Sequence, residues 1–231
     1  MTEDRFLLTI IGQLLAAAPV TLLILLVSAV LATLLAGVLT ACAASGSRVL
    51  RLLSAGWTFL FRGTPLILQI FMVYYGLAML PWIRQGPLWF AFRNPIFCSC
   101  LAMTCCCSAY IGEVFRGAMK AVPIGGIEAG RACGMSRFQL LRRVIMPALT
   151  RIALPSYSNE VIMMVKSTSL ASTVTVMDIT GVAQGIISKT YRTLEVFLCA
   201  AALYLLLNAV LTAAFGLWAR RLHIARRTSA R

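Results

Sequence analysis

Between Phe6 and Arg48 the sequence contains no charged residue. A spanning helix needs about 20 mostly apolar residues, so this stretch can cross a bilayer with residues to spare. The remainder agrees: of 231 residues, 60% are hydrophobic and 12% charged, whereas soluble domains are about half apolar and about a quarter charged. The start, Met1-Thr2-Glu3-Asp4-Arg5, is acidic, and the apolar run exceeds the roughly 7–15 residues of a signal-peptide core. The first span is therefore expected to be retained.

Five apolar segments follow from the pattern: approximately Pro19 to Thr40, Pro65 to Leu80, Ile96 to Ala118, Pro155 to Met177 and Val196 to Trp218. Thr64-Pro65 offers the second an N-cap and a first-turn proline. Cytoplasmic connections collect Lys and Arg, and here alternate connections do. Arg48, Arg51 and Arg62 lie between spans one and two. Arg116, Lys120, Arg131, Arg137, Arg142, Arg143 and Arg151 lie between three and four, and Arg220, Arg221, Arg226, Arg227 and Arg231 follow five. The opposite side receives only Arg5, Arg84, Arg93, Lys189 and Arg192. This bias places the amino terminus outside and the carboxyl terminus in the cytoplasm. Pro81, Trp82, Trp89, Phe90 and Phe92 fall on the outer side, where amphipathic rings suit the headgroup region. With no long repeat and no low-complexity linker, residues 1–231 read as one all-α membrane domain with lipid as its solvent.

The formal charge of +14 does not indicate nucleic acid, because that reading needs basic residues gathered on one face of a folded domain. Here they sit between apolar runs. Cys98, Cys100, Cys105, Cys106 and Cys107 lie within one apolar segment and point around a helix, and the single histidine, His223, is in the tail. A zinc site wants convergent ligands at characteristic spacings, so these cysteines read as small apolar packing residues and no metal is expected.

The connection from Arg116 to Arg151 spells two short helices. Pro123 and Gly125-Gly126 open the first, with Glu128 in its first turn, where a carboxylate complements the dipole. Gly134 ends it at a position suited to a left-handed C′ residue. Ser136 and Gln139 have the spacing of a capping box, and Pro147 is expected to end the second helix. Ile127, Met135, Phe138, Leu141 and Val144 give this hairpin an apolar side and its arginines a charged one. Such a hairpin either lies on headgroups or docks a partner protein.

Glu128-Ala129-Gly130, then Gly134, then Val144-Ile145-Met146-Pro147 resemble the EAA loop of ATP-binding-cassette importer permeases, usually E-A-A-x3-G-x9-I-x-L-P. Gly130, Val144 and Met146 depart from that form by small changes in volume. Gly130 would weaken the first helix by about 1 kcal/mol relative to Ala. Phe61-Arg62-Gly63-Thr64-Pro65-Leu66, Ser108-Ala109-Tyr110-Ile111-Gly112-Glu113 with Phe115-Arg116-Gly117, and Lys166-Ser167-Thr168-Ser169-Leu170 are similar to the polar amino acid branch. Gly126 stands where that branch commonly has Gln. The run from Ile152 to Ile162 resembles permeases for histidine, lysine, arginine, ornithine and opines. This resemblance covers about Trp57 to Trp218. It implies that residues 120–151 form a coupling loop, with Glu128, Ala129, Gly130, Gly134 and Pro147 seating on a cytoplasmic ATPase dimer. It also implies a homologous second permease subunit, a periplasmic solute-binding protein and a bacterial inner-membrane location. ATP and Mg would belong to the ATPase, since neither Lys166-Ser167 nor Lys189-Thr190 follows a glycine as a phosphate-cradling loop requires.

Glu160 lies in the fourth segment, where a charge costs about 2.5–3.5 kcal/mol on insertion scales and usually faces a cavity or partner. At 100° per residue, Ser156, Tyr157, Glu160, Met163, Met164 and Ser167 fall along one face, which makes Glu160, Ser156, Tyr157 and Ser167 the candidate solute-binding set. The other reading pairs Glu160 with an arginine or backbone group of the second permease. Glu113 is expected to pair with Arg116 at i,i+3, and Arg62 and Lys166 to act first as helix-end or interhelix anchors. Ser167-Thr168-Ser169 suggests an interrupted helix, as transporter sites often have. A passive channel is the alternative function, but it would need no cytoplasmic helix pair. A membrane enzyme is disfavoured by the lack of any recognisable catalytic set.

Overall fold

The computed structural model describes residues 3–222. Met1, Thr2 and the basic tail carrying His223, Arg226, Arg227 and Arg231 lie outside the described residues. The described chain is helical, with no strand.

Helix α1 covers Glu3–Ala44 and contains Pro19 in its interior, so the first apolar element begins well before the expected boundary. Proline there removes one backbone bond, a loss that long apolar helices tolerate when neighbours or local adjustment satisfy the freed carbonyl. α1 packs most extensively on α6, Pro95–Lys120. The contact is made by small residues of α1: Ala32 and Ala36 are fully buried, as is Ser28. Small side chains let helix backbones approach closely in lipid. That closeness is visible in the Ser28 hydroxyl donating to the Cys100 carbonyl at 3.4 Å and Thr40 to that of Gly112 at 3.4 Å. Asn94 caps α6 by accepting from the Ile96 and Phe97 amides, with Pro95 at the first position where its missing N–H costs nothing.

Between them lies an element that the sequence reading treats as a connection. α2, Arg48–Gly63, is rich in apolar residues but interrupted by Arg48, Arg51 and Arg62, which fall along one stripe of the helix. It is tied down by Ser54 donating to the Leu39 carbonyl at 2.9 Å and Trp57 donating to Ser108 at 3.1 Å. α3, Leu66–Phe71, continues through a π turn over Met72–Gly76 and a 3-10 turn over Leu77–Met79. The two arms of this pair meet at 102°. Short helices α4, Pro81–Arg84, and α5, Trp89–Phe92, hold Trp82, Trp89, Phe90 and Phe92.

After α6 come α7, Ile124–Ala132, and α8, Arg137–Leu140. Pro147 does not end the second helix. A π turn over Leu141–Ile145 leads directly into α9, Met146–Ser167, where Pro147 occupies the first turn. In the π turn the Met146 amide reaches back to the Leu141 carbonyl, and this widening accommodates a residue with no N–H to give. Pro155, the expected start of the fourth span, also sits inside α9. The expected interruption after Ser167 is present: a 3-10 segment covers Thr168–Val174, Thr175 adopts φ 66° in the left-handed region, and α10 follows over Ile179–Thr190. α11, Thr193–Arg221, packs back on α9 and α10.

Among the described residues three helices, α1, α6 and α11, are long and apolar enough to cross a membrane, and there are five spans if each of two bent pairs counts as one.

Candidate functional site

Pro65 organises the first break. It cannot donate a backbone bond and disfavours helical backbone at the residue before it, and Thr64 and Pro65 are both extended at ψ 141° and 135°. The expected Thr64 cap is absent; Pro65 itself is the N-cap residue, with no side-chain cap bond. The Thr64 hydroxyl instead donates to the Leu60 carbonyl at 2.9 Å and accepts from Gln69. Gln69 Nε2 also reaches the Phe61 and Thr64 carbonyls at 3.0 and 3.1 Å, so one buried amide staples the end of α2 to the start of α3.

This break, the middle of α6 and one face of α9 line an open cavity of about 620 Å³, within the size range of small-molecule sites. From α9 come Asn159, Glu160, Met163, Met164 and Ser167; from α6 come Cys106, Cys107 and Tyr110; from the break comes Arg62. Glu160 and Ser167 of the candidate set are thus together. Ser156 is exposed one turn further down and does not line the cavity. Tyr157 is turned about 60° around the helix from Glu160, and its hydroxyl is 2.9 Å from that of Thr33 on α1. Its ring stacks on Phe115 and meets Phe215, each at 6.1 Å between centroids. Its neighbours thus come from three other helices: Thr33 of α1, Phe115 of α6 and Phe215 of α11. Lys166 is exposed and outside the cavity.

Glu113 pairs with Arg116, as expected at i,i+3, and also with Arg62 across the helix interface at 3.8 Å. Arg116 is further held by Thr58 at 3.3 Å, and the Arg62 guanidinium lies 5.1 Å from the centre of the Tyr110 ring. Arg62 is therefore an interhelix anchor, one of the two roles expected of it, and it also lines the cavity. The signal for it in the sequence was its place just before Gly63-Thr64-Pro65.

The second break rests on Asp178, which the sequence reading passed over. It is fully buried, caps α10 by accepting from the Gly181 amide at 2.8 Å, and accepts from the Tyr204 hydroxyl of α11 at 3.1 Å. Thr21 of α1 accepts from the Ile179 amide at 3.2 Å. A Cβ at Gly181 would stand 2.2 Å from the Val176 carbonyl oxygen, so only glycine fits. An aspartate followed three residues later by glycine, between two apolar runs, was the available sign.

In the hairpin between α6 and α9, α7 begins at Ile124 after an extended Pro123. Glu128 therefore falls in the second turn, not the first, and is exposed; it has little of the dipole stabilisation reserved for the first turn. Gly134 has φ 72° as expected. Its amide donates to the Arg131 carbonyl at 2.9 Å and that of Met135 to Gly130 at 3.1 Å, the paired bonds of a Schellman ending. Ser136 and Gln139 form both bonds of the capping box. Gly130 has a packing reason: a Cβ there would lie 2.7 Å from Leu140 Cδ1. Ala129 and Pro147 are exposed, as are Ile124 and Phe138, the last two each 69% exposed.

Residues 33–224 match the family described as binding-protein-dependent transport system inner membrane component. The chain belongs to that family. It is 45% identical over 219 residues to the octopine transport system permease protein of Rhizobium radiobacter, covering 94% of this chain and 89% of the relative. It is 43% identical over 203 residues to the histidine/lysine/arginine/ornithine transport system permease protein of Salmonella typhimurium, covering 87% and 86%. The crystal structure of an amino acid ABC transporter with histidines superposes with a TM-score of 0.79 at 26% identity, covering 91% of this chain and 94% of that one. The chain is accordingly a multi-pass membrane component of an ABC transport system.

Proposed function

We propose that this chain is the permease subunit of an importer for basic amino acids or opines derived from them, working by alternating access. The observation that carries the reading is the cavity in which Glu160 on α9 stands across from the broken α2–α3 pair. Glu160 holds the cationic end of the solute, Ser167 adds a hydroxyl at the same wall, and Met163, Met164, Cys106 and Cys107 form an apolar wall for the stem. Intramembrane acids mark solute pathways, and broken helices line transporter sites near the bilayer midplane. The relatives named for octopine and for histidine, lysine, arginine and ornithine support solutes of this charge class.

As a single permease domain it crosses the bacterial inner membrane five times, each bent pair counting as one span, with the amino terminus periplasmic and the carboxyl terminus cytoplasmic. Residues 120–151 form the coupling loop. Gly134 and the capping box fix the angle between α7 and α8, Gly130 lets them close on each other, and Glu128, Ala129 and Pro147 face a groove of the ATPase dimer. That dimer spends ATP with Mg, a periplasmic protein delivers the solute, and a homologous permease completes the pathway. Reconstitution with these partners tests the reading. Solute-loaded binding protein should raise ATP hydrolysis for arginine, lysine, histidine or octopine and leave it unchanged for acidic amino acids; the reverse ranking would overturn it.

A further inference from the structure

Two arginines share the single carboxylate of Glu113, and they share it unequally. Arg116 is on the same helix one turn on, in close contact with Glu113, and is fixed from behind by the Thr58 hydroxyl at 3.3 Å. Arg62 comes from the end of α2, reaches the same oxygen, Oε1, at only 3.8 Å, and has a side chain 44% exposed against 26% for Arg116. Arg62 lines the cavity, whereas neither Glu113 nor Arg116 does.

A buried or half-buried ion pair resists separation because the abandoned charge is left uncompensated. Here that cost is removed on one side: Glu113 keeps Arg116 when Arg62 departs. On the other side, the Arg62 guanidinium faces the Glu160 carboxylate in the same cavity; once the solute's cationic end occupies Glu160, the guanidinium needs a new anion, and its planar fork suits a carboxylate in two-point contact. Tyr110, under the guanidinium at 5.1 Å and itself a cavity residue, gives Arg62 a surface to pivot on that attracts cations.

The geometry points to Arg62 as an exchangeable carboxylate reader: solute entry draws it off Glu113, and it takes up the solute's carboxylate while Glu160 across the cavity takes the cationic end. This rests on the reading that the cavity receives the solute, and it adds that the solute must carry a free carboxylate as well as a positive charge. It also makes Glu113 a competitor of the solute.

The test uses the purified permease–ATPase complex in lipid nanodiscs without the binding protein, so that discrimination belongs to the membrane part. Binding of L-arginine and of its carboxamide, which lacks the anionic end, is measured by calorimetry. The intact complex should prefer arginine by about 10- to 100-fold, the range of a charge-assisted contact, and Arg62→Gln should lower arginine to the level of the carboxamide without changing the carboxamide. Glu113→Gln should tighten arginine by about 2- to 5-fold, the range of a partly exposed ion pair removed from competition, again without effect on the carboxamide. A purely structural role for Glu113 would weaken both ligands. If Glu160→Gln abolishes binding while Arg62→Gln keeps the full preference and Glu113→Gln gives no tightening, the cavity holds the solute but the exchange is wrong. If Glu160→Gln and Arg62→Gln both bind arginine as the unsubstituted complex does, the cavity reading fails and the exchange with it.

Discussion

Replacing Gly134 by alanine or valine probes the hinge of the hairpin between α7 and α8. At φ 72° a Cβ crowds the following carbonyl, which costs about 1–2 kcal/mol for an ordinary L-residue, and a β-branched side chain is a more severe outlier there. Nothing lies within 4 Å of the position a Cβ would take, so the penalty is conformational rather than steric crowding by neighbours. If the residue leaves the left-handed region, the Gly134 and Met135 amides lose their Arg131 and Gly130 acceptors. A shift of one or two kcal/mol changes a local equilibrium by a factor of about 5–30. Hydrogen exchange at residues 134 and 135 should accelerate by about that factor in Gly134→Ala, more in Gly134→Val, and least in Gly134→Asn, which tolerates this conformation. ATPase copurification should fall in the same order while membrane insertion persists. Unchanged exchange and normal copurification in Gly134→Val would refute both the turn and its docking role.

Tyr157→Phe should leave the solute preference unchanged and cost about 0.5–1.5 kcal/mol of stability through the lost bond to Thr33; a changed solute ranking would put Tyr157 in the site after all. Gly181→Ala should lower the melting temperature of the complex sharply, since its Cβ meets backbone at 2.2 Å and overpacking commonly costs about 1–3 kcal/mol; a normal melting curve would mean the second break relaxes freely. Single cysteines at Gln85 and Gln184, on a cysteine-free background, should react with an impermeant reagent from outside, and those at Ser47 and Ser136 only after permeabilisation. Labelling of Ser136 from outside would invert the topology.

Local chemistry made the hairpin legible from sequence. Gly134, Ser136 and Gln139 act on amides within a few residues of themselves, so their spacing states their geometry, and the Glu113–Arg116 pair is likewise one helical turn. The prolines were harder. Pro19, Pro147 and Pro155 all lie within helices, because whether a proline stops a helix depends on how the freed carbonyl is satisfied, and a π turn does that before Pro147. Glu128 was placed one turn early because the helix starts at Ile124, after Pro123 and not after the glycine pair. α2 escaped notice because a window that asks only for uninterrupted apolar length passes over a helix with arginines on one side. Glu160 and Ser167 could be placed on one stripe by periodicity alone, but the wall opposite comes from α2, α3 and α6, distant in sequence, as do the contacts that turn Tyr157 away. Asp178 stayed hidden since its role depends on Thr21 and Tyr204 converging around the α10 start.

Glu160→Gln, assayed in the assembled transporter with its binding protein, bears most directly on the central proposal, since it removes the charge while keeping size and hydrogen-bonding capacity. Stimulation of ATP hydrolysis by arginine and related basic solutes should fall by at least about tenfold, the loss of one charge-assisted contact, with the second permease and the ATPase still copurifying. Unchanged uptake of every basic solute by an intact complex would contradict the assignment and leave the partner permease as the holder of the site.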